Sequence, residues 1–118
     1  MDSKDIAQIA VRAADSKRAN DIVVLDMQNV SLMADYFVIA DANSNRQVKA
    51  IADEIADQMS ASKIEIYQVS GRDTAKWILI DLGEVIVHVF QTDERDFYNL
   101  EKLWSDAPFL DTRDWLEV

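Results

Sequence analysis

The chain has 118 residues, enough for one domain with a substantial core, and 49% of its residues are hydrophobic. Its 12 Lys and Arg residues are outnumbered by 22 Asp and Glu residues, and the net charge of −10 argues against binding to nucleic acid or an anionic membrane and favours a basic partner. The sequence has no cysteine and one histidine, His88, which excludes a Cys/His zinc site, a disulfide framework and a thiol nucleophile.

The first half of the chain predicts two helices and two strands. Ser3 is a candidate cap for a first helix with apolar residues at helical spacing. Runs rich in β-branched and apolar residues at 22–27 and 36–40 predict strands. Ser44 followed by Gln47 predicts a capping box at the start of a second helix. The apolar stripe of that helix consists of Val48, Ile51, Ala52, Ile55 and Met59.

The second half predicts three more strands and a third helix. The strands are expected at 64–69, 77–80 and 85–90. Between the last two lies Asp81-Leu82-Gly83-Glu84, the composition of a tight hairpin turn with Gly83 at a position that tolerates positive φ. Thr92 or Asp93 is a candidate cap for the third helix. That helix carries Phe97, Leu100, Leu103 and Trp104.

The predicted order indicates an α/β fold: a single mixed, mostly five-stranded sheet with helices packed on it. The connection from 36–40 to 64–69 through the second helix is expected to be parallel and right-handed. We assign residues 1–106 to this domain and 107–118 to an acidic C-terminal tail. The large apolar residues of the tail predict that part of it packs on the domain or on a second copy.

The two hairpin strands are apolar on both faces. Val85, Val87 and Val89 point one way, while Ile86, His88 and Phe90 point the other. Neither face has the polar residues of a face exposed to solvent. Three helices of modest length cannot easily cover both faces of a five-stranded sheet. Either the helices divide between the faces, or part of one face is left for a partner.

Trp77 and Leu82 are the candidate anchors for such a partner. Trp77 begins one hairpin strand, and burying an indole in a dry contact removes roughly 150–250 Å² of surface from water. Leu82 lies at the hairpin tip, where turns prefer Asn, Asp or Gly. Its side chain therefore either folds back on its own domain or is available for contact with another protein. For Trp77, a place in the core is an equally good reading.

Signs of catalytic or cofactor chemistry are weak. Asp26, Asp35, Asp41 and Asp81 lie at strand ends, but no two occupy adjacent positions on one face, as a metal site would need. With only Gly71 and Gly83, the chain lacks dinucleotide and P-loop motifs, and no cofactor is expected. For His88, a neutral core histidine with a hydrogen-bond partner is favoured over a general base or pH switch.

Two stretches carry a family resemblance. DYFVIADANSNRQVKAIAD (35–53) and WILIDLGEVIVHVF (77–90) resemble the ribosomal silencing factor family, also called Iojap-like, and the similarity extends from Ile6 to Trp104. The resemblance implies a fold similar to nucleotidyltransferases without their catalytic residues, hence no enzyme. It implies a homodimer in the free state, and binding to the large ribosomal subunit through ribosomal protein fourteen. The bound factor would block subunit association and repress translation under nutrient limitation.

Five residues are the expected partner contacts. Trp77 and Leu82 match the family positions expected to touch the partner, and Ile78, Asp81 and Tyr98 are added by proximity to the motif. The alternatives are a large-subunit assembly factor, as family members in organelles suggest, a catalytically active nucleotidyltransferase-like enzyme, or a structural dimer. The N-terminus lacks a signal peptide and no apolar stretch approaches the ~20 residues of a membrane helix, so we expect a cytoplasmic protein without membrane contact.

Overall fold

The computed structural model describes residues 2–116 of the chain, which form one mixed sheet with helices on it. The strands are β1 (Asn20–Asp26), β2 (Tyr36–Ala42), β3 (Gln68–Ser70), β4 (Trp77–Asp81), β5 (Val85–Gln91) and β6 (Phe109–Leu110). The helices are α1 (Ser3–Ser16), α2 (Asn45–Ala61), α3 (Thr92–Tyr98), α4 (Leu100–Leu103) and α5 (Arg113–Leu116). The sheet order is β3-β4-β5-β2-β1-β6, so the predicted α/β class is confirmed with six strands instead of five.

The central pair β2 and β5 is parallel, and each of the other neighbouring pairs is antiparallel. β2 and β3 therefore run in the same direction, as predicted, although β5 and β4 lie between them. The third strand is shorter than the predicted 64–69. The chain turns at Lys63 with φ of 60°, and the following isoleucines pack on the core before ladder pairing begins. The first ladder bond here runs from Tyr67 N to Asp81 O, at 2.9 Å.

The helices α1 and α2 cover one face of the sheet. The predicted stripe of α2 is buried as expected, and α1 contributes mainly small side chains that allow a close approach. Asp2, rather than Ser3, caps α1 by accepting from Asp5 N at 2.9 Å. Ser44 caps α2, but the side chain of Gln47 donates to the carbonyls of residues 17 and 18 at the end of α1. The capping box is therefore not completed.

The predicted third helix is two short helices. Asn99 adopts the left-handed conformation (φ 48°, ψ 61°) between α3 and α4, and its side chain accepts from Lys102 N at 3.3 Å. Neither Thr92 nor Asp93 caps α3, because the cap position is Gln91. The Thr92 hydroxyl instead donates to Asp41 Oδ2 at 2.7 Å, which attaches the start of α3 to the end of β2.

The segment expected to be an acidic tail adds a strand and a helix to the domain. β6 pairs with the outer edge of β1, and the Trp115 side chain of α5 is buried with the α1–α2 core. Arg12 Nε donates to Trp115 O at 2.8 Å. Part of the segment thus packs on its own domain, the first of the two possibilities; residues 117 and 118 lie outside the described range.

The second face of the sheet is only partly covered. Below α3, α4 and the segment that follows them lies a smaller core of Leu25, Met27, Ile39, Phe90, Leu100 and Ala107. Towards β4 and β5 this cover ends, which leaves part of the face open. The helices therefore divide between the two faces, and part of one face also stays uncovered. Within residues 2–116, none of the helices has the length and apolar character needed to cross a membrane.

Candidate partner-binding face

An apolar cavity of about 600 Å³ lies on the uncovered part of the sheet. Strand alternation builds it, because Phe37 of β2, Leu79 of β4 and Ile86 of β5 all point away from α1 and α2. We call this feature the open-face cavity and define it by its main lining residues Met33, Phe37, Tyr67, Leu79, Ile86 and Trp104. Its polar lining includes Asp81 and His88.

An aromatic cluster lies beside the cavity. Trp77 packs between Phe90 and Tyr98, with ring centroids 4.8 Å and 4.7 Å away. The indole Nε1 of Trp77 donates to Nδ1 of His88 at 3.2 Å, and His88 belongs to the cavity lining. Trp77 is half-buried and packs in the smaller core, in agreement with the core reading, and it supports a side chain of the cavity. Its contact with a partner stays a prediction.

His88 is the neutral core histidine that the sequence favours. Burial lowers its pKa from 6.5 to about 4, because the charged imidazolium would lose its hydration. Accepting from Trp77 at Nδ1 places the proton on Nε2, which has no hydrogen-bond partner among residues 2–116. The Phe37 ring lies edge-to-face with the imidazole, at a centroid distance of 4.7 Å.

Acidification should destabilise the domain through His88. Its pKa is lower in the folded chain than in the unfolded chain, so the stabilisation is complete above pH 6.5 and is lost as the pH falls towards 4. Lowering the pH from about 7.5 to about 5 should remove about 2 kcal/mol from the free energy of unfolding. In urea titrations, His88→Gln, which keeps an acceptor for Trp77 but does not titrate, should lose less over this interval. Identical losses in both proteins would contradict this role.

The structure separates the five predicted contact residues into two groups. Trp77 and Tyr98 are in contact, and Asp81 borders the cavity, where its Oδ1 accepts from Gly83 N at 2.9 Å. Ile78 is fully buried, and Leu82 is only 3% exposed. Both belong to the core beneath α1 and α2, because Ile78 alternates with Trp77 and Leu82 folds back from the hairpin tip. Neither side chain is exposed on the single chain, and Leu82 follows the first of its two readings by folding back on its own domain.

The strand-end acids have structural roles. Strand register places Asp41 at the opposite end of the sheet from Asp26, Asp35 and Asp81. Asp41 is buried and forms an ion pair with Arg95 at 2.7 Å, while Asp26 accepts from Gln28 N at 3.0 Å. Over residues 2–116, the His, Asp and Glu side chains form no group of three or more that could hold a metal ion.

Most of the cavity residues were not among the sequence candidates. The alternation of β4 and β5 does place Leu79 and Ile86 on the face that includes Trp77 and His88, and that signal was available. Met33, Tyr67 and Trp104 come from loops and from the end of α4, where no periodicity indicates their direction. The assembled surface offers apolar contact area bordered by a carboxylate.

The fold and this face define a small α/β protein with an apolar sheet face that is left partly uncovered. A family model described as ribosomal silencing factor during starvation matches residues 1–117. The chain belongs to this ribosomal silencing factor family, which confirms the resemblance.

Similar proteins from bacteria and organelles agree with this family assignment. The chain is 55% identical over 111 residues to ribosomal silencing factor RsfS of Bacillus subtilis, covering 94% of both chains. A crystal structure of a Bacillus halodurans protein superposes with a TM-score of 0.83 and 46% identity, covering 92% of this chain and 99% of that one. The chain is also 35% identical to the chloroplastic protein Iojap of Zea mays. It is 29% identical to a mouse protein named "Mitochondrial assembly of ribosomal large subunit protein 1". These alignments cover 81% and 80% of this chain and 42% and 43% of those longer proteins.

Proposed function

We propose that this protein binds the large ribosomal subunit through ribosomal protein fourteen and thereby prevents the small subunit from joining, which represses translation under nutrient limitation. The observation that carries the proposal is the open-face cavity on a chain of this family. An apolar surface of this kind, with partly exposed Phe37, Leu79 and Ile86 at its centre, gains affinity when a partner removes it from water.

Charge supports the choice of a ribosomal protein as partner. Ribosomal proteins of the subunit surface are basic, and a chain with a net charge of −10 is attracted to a basic surface over long range. The same charge repels ribosomal RNA, so docking is directed to a protein. Asp81 at the border of the cavity is placed to meet a cation at the edge of the contact.

The residues predicted from the sequence take different parts in this proposal. Trp77 orients His88 below the cavity and packs against Tyr98, whose ring is 45% exposed and available at the periphery of the contact. Ile78 and Leu82 act from the opposite face by fixing the hairpin strands on the helical core. Their contribution is to the shape of the surface, without contact to the partner.

The mechanism is steric occlusion, in which no bond is made or broken. We therefore propose that the protein is not an enzyme. We also propose that it acts in the cytoplasm. In the free state we propose a homodimer in which a second copy covers the apolar face. Because one surface cannot serve two partners at once, dimer formation and ribosome binding would compete. Sizing over a dilution series tests the dimer.

Pelleting with isolated ribosomal subunits tests the proposal. The chain should sediment with large subunits and not with small ones. It should fail to sediment with large subunits that lack ribosomal protein fourteen. Ile86→Glu places a charge inside the cavity and should reduce retention at least about tenfold, because a buried carboxylate without a partner is costly. Mixtures of both subunits should remain dissociated with the original chain and associate with the variant.

Leu103→Glu is the matched control. It introduces the same charge at a side chain that is 70% exposed on α4 and does not line the cavity, so retention should stay within about twofold. Circular dichroism and melting curves must show that both variants are folded. Equal losses for Ile86→Glu and Leu103→Glu would contradict a contact centred on the cavity.

The mouse relative supports a second candidate function, assembly of the large subunit, because that protein is named for this process. The two functions differ in the particle that is bound. An assembly factor binds incomplete large subunits, and its removal makes precursors accumulate. A silencing factor binds mature subunits, and its removal leaves assembly intact while subunit joining continues in starved cells.

A further inference from the structure

One methionine side chain is exposed at the border of the open-face cavity. The sequence contains four methionines, and Met33 is 85% exposed, whereas Met27 and Met59 are fully buried in the two cores. Met33 lies between β1 and β2 in a loop where its backbone N–H donates to Ser31 Oγ at 3.1 Å. Its thioether is therefore open to reagents in solution and adjacent to the apolar residues of the cavity.

From this position we propose that Met33 is an oxidation site through which a peroxide controls binding at the open face. The proposal rests on the function proposed above, because its consequence is a change in partner binding. The exposure of a large apolar side chain beside an apolar cavity is explained if a partner buries that side chain on binding. Any chemical change that makes this side chain polar would then act directly on the contact.

The reaction needs only hydrogen peroxide as the second reactant. The Met33 sulfur attacks one peroxide oxygen with a lone pair, the O–O bond breaks, and an S–O bond forms. The sulfur loses two electrons and becomes the sulfoxide, while the other oxygen gains them and leaves as water after proton transfer. The product is a polar group with a strong hydrogen-bond acceptor, and methionine sulfoxide can be reduced enzymatically, so the change is reversible.

The neighbourhood explains why the sulfoxide weakens binding. Phe37 and Ile86 contribute to the same cavity as Met33 and offer the sulfoxide oxygen no hydrogen-bond donor, and the unpartnered Nε2–H of His88 is shielded from solvent. A partner that closes over this surface would strip water from the oxygen without replacing those hydrogen bonds. Oxidation should therefore reduce affinity while the fold, whose methionines at 27 and 59 are shielded, stays intact.

The test treats the isolated chain with hydrogen peroxide at a dilution at which sizing shows single copies, because the proposed dimer would cover Met33. The peroxide is then removed, and pelleting with large subunits is measured. A peptide map should show oxygen at Met33 before Met27 and Met59. The oxidised chain should be retained about tenfold less, with an unchanged circular dichroism spectrum. Met33→Leu, which keeps an apolar side chain but cannot form a sulfoxide, should be retained equally before and after treatment. Met33→Gln, polar without any oxidant, should resemble the oxidised chain.

Two results would overturn the proposal. In one, Met33 is fully oxidised and retention is unchanged. In the other, Met33→Leu loses retention on treatment as much as the original chain, which would place the sensitive group elsewhere. The untreated chain is measured in parallel, so failure of the proposed function would be recognised separately, as absence of binding before any peroxide is added.

Discussion

Replacing Arg95 with methionine should lower the free energy of unfolding by about 3–5 kcal/mol. The guanidinium is buried, and its Nη1 donates to Asp41 Oδ1 at 2.7 Å and to Asp21 O at 2.8 Å. Its Nη2 reaches Glu101 Oε2 at 3.5 Å. The Arg95 side chain thus connects α3 to three other elements: the start of β1, the end of β2, and α4. Removing it leaves the Asp41 carboxylate buried without a countercharge, which is the costly outcome.

A double-mutant cycle separates this penalty from the net value of the pair. Asp41→Asn keeps an acceptor for the Thr92 hydroxyl but removes the charge. The single variant leaves Arg95 buried and incompletely neutralised. In the combination with Arg95→Met, position 41 carries no charge, and only the partly exposed Glu101 loses its cation. Urea titrations should show that the double variant costs clearly less than the sum of the two single variants. Additive costs would mean that the buried charges do not depend on each other.

Gly71→Ala should cost about 3 kcal/mol or more, or prevent folding. Gly71 has φ of +84°, and a Cβ at this position would lie 2.1 Å from the carbonyl oxygen of Trp77. That oxygen belongs to the backbone at the start of β4, so the clash is relieved only by displacing the strand that carries Trp77. The left-handed conformation adds about 1–2 kcal/mol for any side chain.

Gly83→Ala is the matched control for this prediction. Its φ of +89° carries the same conformational cost, but the added Cβ would meet a ring carbon of Tyr67 at 3.0 Å, and that side chain can move. The expected loss is therefore about 1–2 kcal/mol. Denaturant midpoints of the two variants provide the comparison. Equal losses would show that the approach to Trp77 O is not what makes Gly71 necessary.

Elements that depend on local signals were predictable from the sequence. The stripe and the Ser44 cap define α2, and the glycine turn defines the β4–β5 hairpin. The errors lie where tertiary contacts decide. β6 forms because β1 presents a free edge to residues 109 and 110, which no local pattern reveals. The break at Asn99 was missed because α3 and α4 together read as one continuous amphipathic helix.

The site was only partly predictable, for the same reason. Counting the apolar faces of the strands predicts that the sheet carries more apolar surface than the helices can cover. Trp77 does lie on the less covered face, where it packs against the smaller core. Which hydrophobic side chains remain exposed depends on where the helices pack on the sheet. Leu82 looked exposed because it lies at a hairpin tip, yet the tip bends onto the helical side. Tyr67 and Met33 looked like ordinary loop residues, and only the assembled surface brings them to the cavity.

Both ends of the sheet finish in very short strands, three residues in β3 and two in β6. Short outer strands offer few free N–H and C=O groups, so chains cannot readily line up side by side into fibrils or other aggregates. With such short outer strands, the apolar face is the main surface left for self-association, and contact through one shared face is complete after two copies, as in the homodimer proposed above.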